Sequence, residues 1–224
     1  ECMSHKEIDY AICGEAEIPL PEFVRAFQKD KNFTGIKSLA YRDKGELFLD
    51  KTRQTVDNIN TIPLYARHLI KNENYSNILT RKKNFTAMLS SRGCPYLCTF
   101  CDQKNPPYRY RSPESFVGEI RENYERHGIR EFDIYDSTFT ANRKRVIEIC
   151  KLIVEQGLDV SWTIRSRIDS VNEKVLQAMK EAGCHTVFYG IESSDPEILK
   201  LMEKRIEIDR IKYIVSYTKD IGID

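Results

Sequence analysis

The stretch that decides the reading is "SSRGCPYLCTFCDQ", Ser90 to Gln103. It sets Cys94, Cys98 and Cys101 at C-x3-C-x2-C spacing, three thiols within eight residues. Three thiolates are one short of a closed tetrahedral site. Thiols this close without a metal would be prone to oxidation, so the loop reads as a metal site. Arg92, Gly93 and Pro95 shape a loop rather than a helix. The loop directly follows a strand candidate, "FTAMLS" (85–90), which puts it at the carboxyl end of that strand. Folds with parallel strands build their sites at that end.

Downstream one pattern repeats: a short apolar run, a turn, then a helix-period segment. Ser112 and Pro113 form a helix start, with Phe116, Ile120 and Tyr124 as its stripe and Gly128 past its end. "EFDIY" (131–135) is the second strand. Asn142 opens the next helix, striped by Val146, Ile149, Cys150, Ile153 and Val154 and stopped by Gly157. "VSWTI" (160–164) is the third strand, followed by a helix striped by Val175, Leu176, Met179 and Ala182 with Gly183 beyond it. "HTVFYG" (185–190) is the fourth. Asp195 and Pro196 open more helix, and a last amphipathic segment carries Ile208, Ile211, Val215 and Thr218. Strand and helix in alternation mean parallel βα units, here about four, and "IGID" at the end reads as the approach to a fifth strand.

Residues 1–50 differ. "IDYAIC" (8–13) is a short strand, Pro19 to Lys29 a helix, and the runs on either side of Asp43, Lys44 and Gly45 a β-hairpin. Residues 51–84 are polar and mixed and read as a linker, leaving 85–224 as the α/β core. The 224 residues can bury a sizeable core. A net charge of +1 implies no polyanionic partner such as nucleic acid, and no apolar run is long enough for a membrane span. Seven cysteines, an odd number with three clustered in one place and the rest scattered, do not suggest a secreted disulfide framework, so a reducing cytoplasm is expected.

Two metals suit three thiolates. Structural zinc wants a second Cys pair, and Cys150 and Cys184 read as core residues instead. An iron–sulfur cluster held by three thiolates leaves one iron open, whereas ferredoxin clusters take a fourth Cys. The rivals are thus a zinc-stabilised binding module and an electron-transfer iron–sulfur protein.

The spacing, with Phe100 just before the last Cys, resembles the signature of the radical S-adenosylmethionine superfamily. "RSPESFVGEI", "IYDSTFTANRKR", "MKEAGCHTVFYGIESSD" and the N-terminal "CGEAE" extend the likeness to the branch with an N-terminal cobalamin-binding domain. The resemblance implies a partial (βα)6-type barrel preceded by the remnant of an α/β cobalamin-binding-like domain (1–50) and the linker. It also implies that the chain is an internal fragment. The implied cofactors are a 4Fe-4S cluster on Cys94, Cys98 and Cys101, S-adenosyl-L-methionine on its open iron and, in the full-length protein, cobalamin. The cobalamin signature D-x-H-x-x-G is not found here, since His5, His68, His127 and His185 sit in other contexts. The implied reaction is reductive cleavage to a 5′-deoxyadenosyl radical that acts on an unknown substrate, by methyl transfer, methylthiolation or cyclisation. Its implied partners are a small-molecule substrate and an electron donor such as flavodoxin or ferredoxin.

Around the cysteines, the resemblance places Phe100, Asp136, Arg165 and Glu192 as cofactor-binding residues. Asp136, after the second strand, would meet the methionyl ammonium, or else cap the next turn. Arg165 and Arg167 would face a carboxylate, or else form a solvated pair. Glu192 would contact cofactor or substrate, or else pair with one of these arginines. Tyr108, Arg109 and Arg111 would cover the site, or else the basic pair would be solvated. Glu15 and Glu17 read as helix caps, and Trp162 and Phe188 as core.

Overall fold

A computed structural model describes residues 2–102, 107–204 and 206–224. Gln103, the last residue of the decisive stretch, lies outside them. The chain divides into two compact units, Glu1–Ile62 and Pro63–Asp224.

In the first unit, strand β1 (Tyr10–Ile12), helix α1 (Pro19–Lys29) and strands β2 (Leu39–Asp43) and β3 (Glu46–Leu49) form an antiparallel sheet, order β1-β2-β3, with one helix. The β2–β3 hairpin turns through Lys44 (φ 48°) and Gly45 (φ 86°), the left-handed pair that a two-residue hairpin turn needs. The sheet and α1 meet through aromatic rings: Tyr10 packs on Phe23 at 4.8 Å between centroids, and Phe23 stacks on Phe33 at 5.3 Å. Neither Glu15 nor Glu17 caps α1. The cap is Ile18, with no side-chain bond, and Glu15 Oε2 accepts the Val56 amide at 3.0 Å instead.

The division at 62/63 falls inside the segment read as a linker, and its second half packs as part of the larger unit. The Arg67 guanidinium donates to Thr86 Oγ1 and, at 2.9 Å, to the Ala87 carbonyl. The Glu131 carboxylate takes the Arg81 and Lys82 amides at 3.1 and 3.0 Å. Polar, mixed composition reads as a linker, but these charges and amides find buried partners on the sheet.

The larger unit contains β4 (Phe85–Met88), the short pair β5 (Ser91–Arg92) and β6 (Arg109–Tyr110), α2 (Pro113–His127), β7 (Glu131–Ile134), α3 (Arg143–Glu155), β8 (Ser161–Ser166), α4 (Glu173–Glu181), β9 (Cys184–Tyr189), α5 (Pro196–Leu201) and α6 (Ile208–Asp220). β4, β7, β8 and β9 form one parallel sheet in sequence order. The helix starts follow their capping residues. Ser112 Oγ accepts the Ser115 amide, Asn142 Oδ1 that of Arg145, and Asp195 Oδ1 those of Glu197 and Ile198. Gly128 ends α2 at φ 62°.

Two stripe residues are corrected. Val154 is 54% exposed, because α3 already turns Val146, Ile149, Cys150 and Ile153 inward and an eighth-position residue falls past the edge of that face. Val215 is 42% exposed, and Ile214 is the buried member of α6 beside Ile211 and Thr218. At the end of the chain Asp224 N donates to the His185 carbonyl and Val187 N to the Asp224 carbonyl, both at 2.8 Å. That is the bonding pattern of a strand beginning parallel to β9.

Candidate functional site

The carboxyl ends of the four parallel strands bring the decisive loop, Asp136, Arg165 and Glu192 to one rim. The base of the loop is closed by the β5–β6 ladder, Ser91 facing Tyr110 and Arg92 facing Arg109. Its far side is tied to the end of α5, where Thr99 N donates to the Met202 carbonyl and Thr99 Oγ1 to that of Leu201, each at 3.3 Å. Gly93 turns the chain between these anchors at φ 73°.

Cys94, Cys98 and Cys101 line one cavity of about 320 Å³, together with Phe100, Arg165 and Glu192. Cys98 is the deepest of the three, at 8% exposure, and the others are half-buried. All seven cysteines are among the described residues and none forms a disulfide. Among the described residues, no group of three His, Cys, Asp or Glu could hold a single metal ion.

Two cations reach this cavity from β8 and its exit. Arg165 grips Asp133 with both Nη atoms, Nη2 to Oδ2 at 3.0 Å, and its guanidinium lies over the Tyr135 ring at 3.8 Å. Arg167 lies deeper. Its Nη1 donates to Cys98 Sγ at 3.1 Å, while Nε and Nη2 hold the Asp169 carboxylate at 2.9 and 2.7 Å. Burial opposes the charge of Arg167, but the Asp169 carboxylate outweighs it, with Cys98 and Tyr96 adding to the same side. The net effect is a pKa above the ordinary arginine value. Burial also pushes the Tyr96 phenol up, and that of Tyr189 up to about 12. Both are neutral cavity walls.

Glu192 sits in the left-handed region at φ 69° and pairs with Lys204, Nζ to Oε1 at 3.0 Å. Lys204 is only 3% exposed and also donates to the Gly190 carbonyl at 2.6 Å. A Cβ at Gly190 would stand 2.9 Å from Glu192 Oε1 and 3.2 Å from Lys204 Nζ, so the absent side chain makes room for the pair. The partner of Glu192 is thus a lysine of the α5–α6 connection rather than either rim arginine. Lys204 carries no motif of its own, and only its fourfold setting against Glu192, Gly190, Phe100 and Arg167 reveals it.

Asp136 stands apart from the cavity lining. It is 1% exposed, and its carboxylate accepts four bonds from one dipeptide: the Ser90 and Ser91 amides at 2.7 and 3.0 Å, and their hydroxyls at 2.5 and 2.7 Å. Both oxygens are taken up in fixing the base of the cysteine loop, which leaves no lone pair aimed at a ligand. The next residues, Ser137 and Thr138, do line the cavity, and Thr138 Oγ1 lies 3.6 Å from Cys94 Sγ.

Two further expectations change. Tyr108, Arg109 and Arg111 are not part of the cavity wall. Arg111 is buried in an ion pair with Glu119, and burial pushes the Tyr108 phenol up to about 12. Phe188 is not core: it is 39% exposed and lines the cavity, whereas its neighbour Val187, 6% exposed, packs in the core. Trp162 is core, at 1% exposure, with Nε1 donating to the Ala182 carbonyl at 2.8 Å.

An uncharacterized methyltransferase of Pyrococcus horikoshii is 38% identical over 219 residues, 96% of this chain and 47% of that protein. An anaerobic magnesium-protoporphyrin IX monomethyl ester cyclase of Cereibacter sphaeroides is 29% identical over 227 residues, 96% of this chain and 36% of that protein. This chain therefore spans less than half the length of either relative. The fold is shared with the apo, selenomethionine-labelled cobalamin-dependent S-adenosylmethionine radical enzyme OxsB, at TM-score 0.74 and 21% identity over 96% of this chain and 32% of that one. The family described as the radical SAM superfamily matches residues 88–224, which hold the cysteine loop and more than half of the sequence. The chain belongs to the radical SAM superfamily.

Proposed function

We propose that this chain is the cofactor-binding core of a radical enzyme, with Cys94, Cys98 and Cys101 as ligands of a 4Fe-4S cluster. One observation carries the reading: three thiols and two fixed guanidinium groups share a single cavity at the carboxyl rim of a parallel sheet. A cluster spreads its thiolates over separate irons, and three of them leave one iron open. A lone zinc needs all its donors in one coordination sphere.

When bound, the cluster supplies one electron to S-adenosyl-L-methionine, whose S–C5′ bond breaks to release methionine and a 5′-deoxyadenosyl radical. The residues of this chain position the reactants. Arg165, held by Asp133 yet 27% exposed, sets a positive charge at the rim that draws a carboxylate. Glu192 offers a carboxylate oxygen to the same cavity, and Lys204 holds it there. Phe100 and Phe188 give apolar walls that exclude water from a reactive radical. Asp136 acts at one remove, by fixing Ser90 and Ser91.

The substrate is a small molecule and the electron comes from a low-potential donor of the flavodoxin or ferredoxin kind. Methyl transfer and cyclisation are both open to this cradle, in keeping with the names of the two relatives. Cobalamin belongs to the proposal only for a longer protein. Among the described residues no helix is long and apolar enough to cross a membrane.

The test is anaerobic reconstitution with iron and sulfide. The expected result is a brown protein with about four irons per chain, which cleaves S-adenosyl-L-methionine when reduced. A colourless protein carrying stoichiometric zinc would overturn the reading.

A further inference from the structure

Among the cavity's contacts, that between Arg167 and Cys98 is unlike the rest. Arg167 is 6% exposed and its guanidinium is fixed by several partners. Asp169 binds Nε and Nη2, the Lys204 carbonyl accepts from Nη2 at 2.9 Å, and the Tyr96 ring lies over the group at 4.1 Å. That leaves Nη1, which meets Cys98 Sγ at 3.1 Å. The other two cases differ. Arg165 turns both Nη atoms to Asp133. Cys94 Sγ lies 3.6 Å from the Thr138 hydroxyl, which donates its proton to the Ser137 carbonyl at 2.7 Å.

We infer that Arg167 is a positioning residue that raises the reduction potential of the bound cluster through its hydrogen bond to Cys98. The inference rests on the cluster reading above and deepens it. Taking up one electron makes the cluster one charge more negative. A fixed cation donating to a ligand sulfur stabilises that reduced form more than the oxidised one, and hydrogen bonds to the sulfurs are among the known determinants of cluster potential. Burial strengthens the effect, because the field acts through protein rather than water. No bond forms or breaks at Arg167 and it keeps its proton throughout. The electron comes from the external reductant.

The experiment compares the reconstituted chain with Arg167→Gln and Arg167→Lys, without S-adenosyl-L-methionine. Iron content is read first, then the midpoint potential by redox titration followed by electron paramagnetic resonance. Arg167→Gln should load iron and show a midpoint about 59 mV more negative, a tenfold change for a one-electron couple. Arg167→Lys keeps the charge but not the fork, and should shift by less. An iron-loaded Arg167→Gln protein with the unsubstituted midpoint overturns the inference. Failure of the unsubstituted chain to take up iron sinks the cluster reading instead. A measurement on the unsubstituted protein covers an Arg167→Gln variant that does not fold. With guanidinium-15N arginine, the reduced cluster should show a nitrogen coupling in pulsed resonance, and its absence overturns the inference equally.

Discussion

Cys94, Cys98 and Cys101 stand on a loop at the rim of the sheet, while Cys150 and Cys184 lie in the core, on α3 and at the start of β9. The side chain is the same in both places. At the rim, the sulfurs face a guanidinium, a hydroxyl and a cavity. In the core, Cys150 and Cys184 are 2% and 1% exposed among aliphatic neighbours. Burial pushes the Cys150 thiol up to about 12 and that of Cys184 well above the ordinary range. The core thiols stay protonated and act as small hydrophobes. The setting rather than the residue type separates a thiol that lines a cavity from one that fills the core.

The sharpest way to break this comparison is to delete sulfurs on each side. Cys94→Ala, Cys98→Ala and Cys101→Ala should each abolish cluster loading, and Cys150→Ala should leave the iron content unchanged. Iron assay and visible absorbance decide it, and a Cys150→Ala protein without iron would end the distinction.

The next effect in size tests how firmly the core holds its thiols. Gly183 precedes Cys184 at φ 95°, and a Cβ there would lie 2.1 Å from the Val160 carbonyl oxygen. Gly183→Ala should cost about 2–5 kcal/mol, from the left-handed backbone and the forced movement of β9. Chemical denaturation measures it, and a loss below about 1 kcal/mol would mean the strand can yield.

Asp136→Asn probes the rim in turn. The amide keeps one acceptor oxygen and brings an NH2 against the Ser90 and Ser91 donors, so about 2–3 kcal/mol should be lost. If the loop base is what Asp136 holds, iron retention should fall along with stability. A variant that keeps its iron and stability and loses only S-adenosyl-L-methionine affinity would restore the direct ligand role.

The smallest effect per step is alkaline, read pH unit by pH unit. A thiol whose pKa is raised on folding adds stability that is whole below its unfolded value and is lost as pH climbs toward the folded one. For Cys150 that window runs from 9.0 to about 12. Each such thiol should add about 1.4 kcal/mol per pH unit to the slope of stability within the window. Cys150→Ala, at a cost of about 1 kcal/mol at pH 8, should show a shallower alkaline slope than the unsubstituted chain. Identical slopes would mean the thiol is not as isolated as its burial indicates.

Much of this was legible before any coordinates. The strand–helix alternation, the capping at Ser112, Asn142 and Asp195, and the hairpin at Lys44 and Gly45 are local signals, set by neighbours a few residues away. The cysteine spacing is local in the same sense. What escaped was every partnership across the chain. Lys204 is invisible in "MEKRIEI" because its importance comes from Gly190 and Glu192, in another element. Asp136 looked like a ligand because it follows a strand, yet Ser90 and Ser91 meet it there with four donors.

Residue order alone therefore carried the βα architecture, the clustered thiols of Cys94, Cys98 and Cys101 and the end of the sheet on which they stand. Periodicity, capping and turn chemistry act over one or two turns of chain and are written in consecutive residues. Tertiary structure decided which polar groups face the cavity and which are used up beneath it. That choice depends on donors and acceptors brought together from positions 46 to 69 residues apart, as in Ser90 with Asp136 and Cys98 with Arg167. A buried charge goes to whichever partners the packing supplies, and no local pattern records who they are.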